Sequence, residues 1–475
     1  MRSLSARVPK AVVGRRTIPL VAATTVLVCG SGLFWLALPA RGQVAVQNQG
    51  FVPFSDPPIN YRSGRLTDPV AKLRERVDRG EVKLEYSPRH GYLESVLNNL
   101  GISPSSQTLV FSKTSFEYRK ISPKTPRALY FNDDVYVGWV QSGKAVEIVS
   151  FDAMQGAIFY LLDQHSVEQP KIERAELDCT QCHVSTQTRN VPGVMLRSIF
   201  TNPSGTQATE ATAYVTGQES PIGERWGGWY VTGTHGRTLH MGNELVHDKE
   251  HPEELDRAAG ANVTDLSERF DTTKYLRGDS DIVAHLILAH QTQMHNLITL
   301  TNYQTRLALY DERGRPDGAL STAARKKFEE PAEELVRYLL FANEVPLDGP
   351  VRGTSPFAQE FAARGPRDPR GRSLRDFDLQ GRIFKYPCSY LIYSEAFDAL
   401  PDPAREYVYH RLFEVLTGRE QAPEFARLSA QDRRAILEIL LATKPGLPEE
   451  WTKLSGQVSR RAKDPVRERP GSAGN

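Results

Sequence analysis

Residues 179–183 read Cys-Thr-Gln-Cys-His, and this short run constrains the chain more than any other feature. The protein holds only four cysteines, Cys29, Cys179, Cys182 and Cys388. Arg2, Arg7, Lys10, Arg15 and Arg16 precede a stretch at 17–40 without a single charge, the layout of an export signal. Cleavage after Ala40 or Gly42 competes with retention of 17–40 as an N-terminal membrane anchor, since a charge-free run of 24 residues is long enough to span a bilayer. Cys29 does not read as a lipid-modified cysteine, because Val28 is not small and more apolar sequence follows. Removal of the leader leaves three cysteines in an oxidising compartment, and an odd number cannot form a disulfide framework.

The spacing C-x-x-C-H is the attachment signature of a c-type haem. With 4 Cys and 11 His among 475 residues, chance would give it roughly 0.0008 times per chain. Two residues between the thiols let one tight turn offer both sulfurs to the two vinyl groups, while the following histidine reaches the iron as fifth ligand. A thioredoxin-like redox pair would want a β-α-β context and a zinc site a second ligand pair, and neither is present. The motif at Cys179, Cys182 and His183 therefore resembles that of c-type cytochromes. The resemblance implies one covalently attached haem c with His183 as an axial iron ligand, and it covers these five residues. Residues 226–236 and 381–400 are similar to stretches of uncharacterised exported bacterial proteins that bear one such motif. Dihaem peroxidases approach this length but carry a second C-x-x-C-H, which is missing here. The thiols being accounted for, Cys388 in Tyr386-Pro387-Cys388-Ser389-Tyr390 reads as a buried small apolar side chain.

Composition sets the remaining bounds. Hydrophobic residues at 40% and charged residues at 24% match a soluble globular chain and exclude collagen-like, wholly disordered and polytopic membrane classes. A net charge of +2 without single-sign runs gives no footprint for nucleic acid. The pattern divides the chain into a signal or anchor (1–42), a linker with short helices (43–105), a β-rich region (106–165), a haem-binding region (166–250), a long-helix region (251–320), a helical C-terminal region (321–450) and a disordered tail (451–475). The expected fold class is α+β: an antiparallel sheet, an irregular haem-binding section and a mainly helical second half.

Within the β-rich region, apolar and β-branched runs at 108–111, 128–131, 135–140, 145–151 and 157–162 predict strands. Residues 138–144 match G-x-x-x-x-G-K, but Ala145 follows and the flanks are strands, so a hairpin is expected instead of a phosphate loop. The Gly- and aromatic-rich stretch 190–242 suits either an irregular wrap around a flat apolar group or ordinary loops. Helical patterns cover 69–77, 91–100, 280–310, 321–343, 400–417 and 429–442. His285, His290 and His295 stand five residues apart, roughly 140° around a helix from one to the next, so they cannot converge on one ion.

For the sixth iron position the sequence offers Met241, 58 residues past His183, its neighbour His240, and His290 within the apolar stripe of the long helix. No H-E-x-x-H or G-x-S-x-G is present. The expected function is that of an exported, periplasmic monohaem c-type cytochrome in electron transfer, or a component of a redox enzyme. Its partner would be a redox protein or a small-molecule electron donor or acceptor. The alternative is a haem enzyme with an open sixth position, peroxidase-like or oxygenase-like, or a haem-based ligand sensor.

Overall fold

Alternation of apolar side chains between residues 108 and 163 builds consecutive antiparallel strands: β1 (Thr108–Val110), β2 (Arg127–Phe131), β3 (Val135–Trp139), β4 (Ala145–Asp152) and β5 (Gly156–Asp163). The computed structural model describes residues 52–208, 212–315, 319–451 and 453, so the expected leader, and the expected tail beyond 453, lie outside the described residues. The molecule is mixed α and β. Short β6 (Ile172–Arg174) adds to β5, and β9 (Trp229–Tyr230) adds to β1, giving a seven-stranded sheet in the order β6-β5-β4-β3-β2-β1-β9. Two small ribbons flank it, β7 (Arg197–Ile199) with β8 (Ala213–Val215), and β10 (Gly233–Thr234) with β11 (Arg352–Gly353). The G-x-x-x-x-G-K stretch is the β3–β4 hairpin, turned by Ser142 in the left-handed region at φ 56°.

One sheet face is sealed. Ala128, Tyr130, Val135, Val137, Val146, Ile148, Ile158 and Tyr160 point into a core that α1 (Pro69–Asp78) and α2 (Leu93–Leu100) close. Asp68 caps α1 and also accepts the Tyr160 hydroxyl at 2.7 Å, which fixes that helix on the sheet. The opposite face meets the larger core, built with α4 (Ile282–Asp311), α5 (Thr322–Leu339), α6 (Phe357–Ala363), α7 (Glu395–Asp398), α8 (Asp402–Leu416) and α9 (Ala430–Thr443). The later part of the chain is accordingly mostly helical. Trp451, at the start of the expected tail, is fully buried against Phe413 and Tyr409.

The stripe at Val283, Ile287, His290, Met294 and Leu297 suggests a helix with one apolar face, but α4 is buried on every side from Ile282 to Tyr303. Its first five turns serve the larger core and Leu300, Tyr303 and Leu307 the other. Several polar side chains there meet a buried backbone group: His285 Nε2–H donates to the Tyr230 carbonyl at 2.9 Å, and Gln291 Nε2 donates to Asn132 O at 2.7 Å, whereas Gln293 Nε2 and Thr301 Oγ1 are buried without a hydrogen bond. His295 Nε2–H reaches Asp133 O at 2.8 Å while its ring stacks on Phe151 at 3.8 Å. The described residues belong to one contact unit.

Candidate functional site

The motif lies on a short helix, α3 (Glu176–His183), instead of the expected tight turn. Its sequence has no apolar periodicity and none of its residues is fully buried. Position comes from its ends: the Ala175 amide bonds the Phe159 carbonyl on β5 at 2.9 Å, and Glu176 pairs with Arg62 at 2.7 Å. Cys179 is half-buried against the larger core and Cys182 is exposed, and both thiols are free. Burial, followed by the nearby Glu147 and Asp178 carboxylates, pushes the Cys179 thiol up to about 12.

His183 ends the helix in a clamp. Its backbone carbonyl accepts the Gly193 amide at 3.0 Å, and its Nδ1 lies 2.9 Å from the Gly193 carbonyl. A carbonyl only accepts, so Nδ1 carries the proton and Nε2 carries the lone pair. Burial lowers the pKa of His183, so the ring is neutral near pH 7, and among the described residues none hydrogen-bonds its Nε2. The loop that returns the chain to Gly193 is held by Thr188, whose buried hydroxyl lies 3.2 Å from His183 O, 3.1 Å from Ser185 O and 2.9 Å from Val191 O. Gly193 has no room for a Cβ, which would meet Asn296 of α4 and Thr188. Asn296 bonds both the amide and the carbonyl of Val194, at 3.0 and 2.7 Å.

The His183 ring packs on Phe159 at 4.9 Å, on the sheet face opposite the sealed one. Register places Val149 beside Phe159, and Glu147 beside Leu161, on that same face. Leu129, Val149 and Leu161 are only half-buried here, unlike their neighbours on the sealed face. Arg127 lies across Gly138, where a Cβ would collide with its guanidinium, to pair with Glu147. Arg127 Nε and Glu147 Oε1 are buried without a hydrogen bond.

The donor set fits a covalently bound haem: two free thiols one helical turn apart, a neutral imidazole with an uncommitted Nε2 held by a carbonyl at its other nitrogen, and a half-open apolar strip of sheet beside them. Among the described residues no group of three or more His, Cys, Asp or Glu side chains could hold a bare metal ion. A haem needs none, since the porphyrin supplies four ligands.

The structure does not bring the sixth-ligand candidates to this helix. Met241 is fully buried against Phe200, Ala208 and Val246, its sulfur accepts from Ser198 Oγ at 3.8 Å, and its amide bonds Arg225 O. His240 Nδ1 accepts the Gly242 amide at 3.0 Å, and its ring meets Trp226 edge-on at 5.0 Å. Both belong to the β9 edge, five strand spacings from β5. At about 4.8 Å per strand that is roughly 24 Å, too far for either to share an iron with His183 in this arrangement. His290 uses both nitrogens, with Gln218 Oε1 at 2.6 Å and Ser389 Oγ at 2.7 Å, and stacks on Phe341 at 4.5 Å and Tyr338 at 5.5 Å. Cys388 is fully buried and burial pushes its thiol up to about 12.

Sequence reading passed over Phe159, Thr188, Asn296, Arg127 and Glu147. A strand alternation that places Arg127 and Glu147 at half-buried positions was the one available signal for the last two. No known family model, curated protein or solved structure matches the chain.

Proposed function

We propose that this chain is an exported monohaem c-type cytochrome, with one haem attached through Cys179 and Cys182 and bound axially by His183. The observation that carries this reading is the His183–Gly193 clamp, which fixes the tautomer an iron ligand needs at the end of the helix that bears both thiols. When bound, the haem supplies reversible one-electron transfer, which suits a carrier or a redox-enzyme component. The chain's own contribution is to orient His183, to offer Leu129, Val149, Phe159 and Leu161 as an apolar bed, and to limit water on that side. Export, and therefore a periplasmic setting, rests on the basic and charge-free leader. The second reading, a haem enzyme or ligand sensor with an open sixth position, is favoured by the commitment of Met241, His240 and His290 to partners away from α3.

Expression alongside an intact cytochrome-maturation system, followed by denaturing mass spectrometry, should show one retained haem that is lost in Cys179→Ser/Cys182→Ser. Apoprotein mass under those conditions would overturn the reading. Spectra with and without carbon monoxide then separate the two functions: a low-spin, unreactive haem supports electron transfer, and a high-spin haem that binds carbon monoxide supports the second.

A further inference from the structure

We infer that the Arg127–Glu147 pair is the charged wall of the haem bed and that each of its two charges offsets the other's pull on the reduction potential of the haem, an inference that rests on the functional reading above. The placement follows from strand register alone. Glu147 of β4 pairs with Leu161 of β5 and with Gly138 of β3, and Leu161 stands two residues from Phe159 on the same face. Phe159 carries the His183 ring, so the carboxylate stands one residue pair from the His183 contact, on the face that α3 covers. Arg127 of β2 reaches it only because position 138 between them has no side chain. Both charges influence the Cys179 thiol, in opposite senses.

The sheet also explains why this pair is unusual. Its neighbours on this face, Leu129, Val149 and Leu161, are apolar, and the two side chains are less than a fifth exposed. Each leaves one buried polar atom, Arg127 Nε and Glu147 Oε1, without a hydrogen bond. A desolvated ion pair gives little net stability against an apolar pair of the same shape, so stability alone does not account for it. Charges held in low dielectric near a redox centre do act on it strongly. A cation favours the reduced, more negative form and an anion the oxidised form, and here the two nearly cancel.

Neutralising one partner should therefore move the potential, and the two single variants should move it in opposite directions. Arg127→Gln leaves Glu147 uncompensated and should lower the midpoint potential. Glu147→Gln keeps an amide oxygen for Arg127 and should raise it. A shift of about tenfold in the reduction equilibrium, about 59 mV for one electron, is expected for each, with Arg127→Gln/Glu147→Gln returning near the parent. Potentiometric titration of the haem-loaded protein reads this, and haem content by mass is recorded for each variant. If Arg127→Gln does not accumulate, Glu147→Gln decides alone: an upward shift supports the inference, and an unmoved or lowered potential overturns it. Shifts of equal sign in both variants overturn it as well. A parent without haem would overturn the functional reading and this inference together, whereas haem-loaded variants with unmoved potentials overturn this inference alone.

Discussion

At the scale of single residues, Gly193 does work that no other side chain could replace. It gives its amide to His183 O and its carbonyl to His183 Nδ1, while Asn296 fills the space where a Cβ would stand. Asn296 cannot simply step aside, because it holds both backbone groups of Val194 inside the core. Gly193→Ala must shift the loop, α4 or both, and overpacking of this kind costs about 1–3 kcal/mol. Gly381→Ala is the control, since nothing lies within 4 Å of a Cβ there and its backbone is not left-handed. Chemical denaturation should show Gly193→Ala destabilised by that amount and Gly381→Ala within about 0.5 kcal/mol of the parent. Equal stabilities would mean that the clamp is looser than its geometry implies.

At the scale of elements, α4 carries a pH dependence. Burial pushes His285 and His290 down to about 3 and His295 to about 4. An unfolded histidine titrates near 6.5, so below that pH the unfolded chain binds protons that the folded one refuses. Their contribution is complete above about pH 6.5 and is lost as pH falls toward 4. His240, also near 3, acts in the same sense. Burial raises Glu344 to about 7 and Asp134 to about 6, and these oppose it, because the folded chain binds their protons first. Burial also lowers His183 and His235 and raises Glu219 and Asp281, so six histidines against four carboxylates leave a net loss of stability as pH falls from 6 to 4.5. Unfolding free energies measured at pH 7, 6 and 5 should fall in that order, and a flat or rising series would refute it. The same helix shows what the sequence could and could not reveal. The 280–310 pattern locates α4 to within two residues at its start, because helical spacing is local, but His285, Gln291, His295 and Asn296 made one face look polar. Their partners, Tyr230, Asn132, Asp133 and Val194, come from distant loops, which no periodicity encodes. Strands β2 to β5 were legible from alternation and β1 from a short apolar run, whereas β6 to β11 are two or three residues long and too short to show a period. The proposed chemistry rests on the five residues of the motif; that α3 is a helix was not legible, since Glu-Leu-Asp-Cys-Thr-Gln-Cys-His has no apolar face.

At the scale of the whole molecule, stability is unevenly spread, and the motif stands at its weak end. The sheet and α4 contribute side chains to both cores, while α3 has no buried residue and no side-chain cap at its start. Eight residues are below the length at which a helix holds itself in water. Without haem, α3 is retained by the Ala175–Phe159 bond, the Arg62–Glu176 pair and the His183 clamp. Two thioether links and an iron bond would tie Cys179, Cys182 and His183 to a rigid group resting on the sheet, so local opening of α3 should become far rarer. Hydrogen exchange followed by mass spectrometry should therefore find α3 amides among the fastest helical amides in haem-free Cys179→Ser/Cys182→Ser, and strongly slowed in the haem-loaded parent. Amides of α4 and of β3 to β5 should exchange slowly in both forms, because their protection comes from cores that the haem does not complete. Slow exchange of α3 already in the haem-free variant would show that the helix is held by contacts other than these three. Unchanged exchange in the loaded protein would place the haem away from the strip formed by Leu129, Val149 and Leu161.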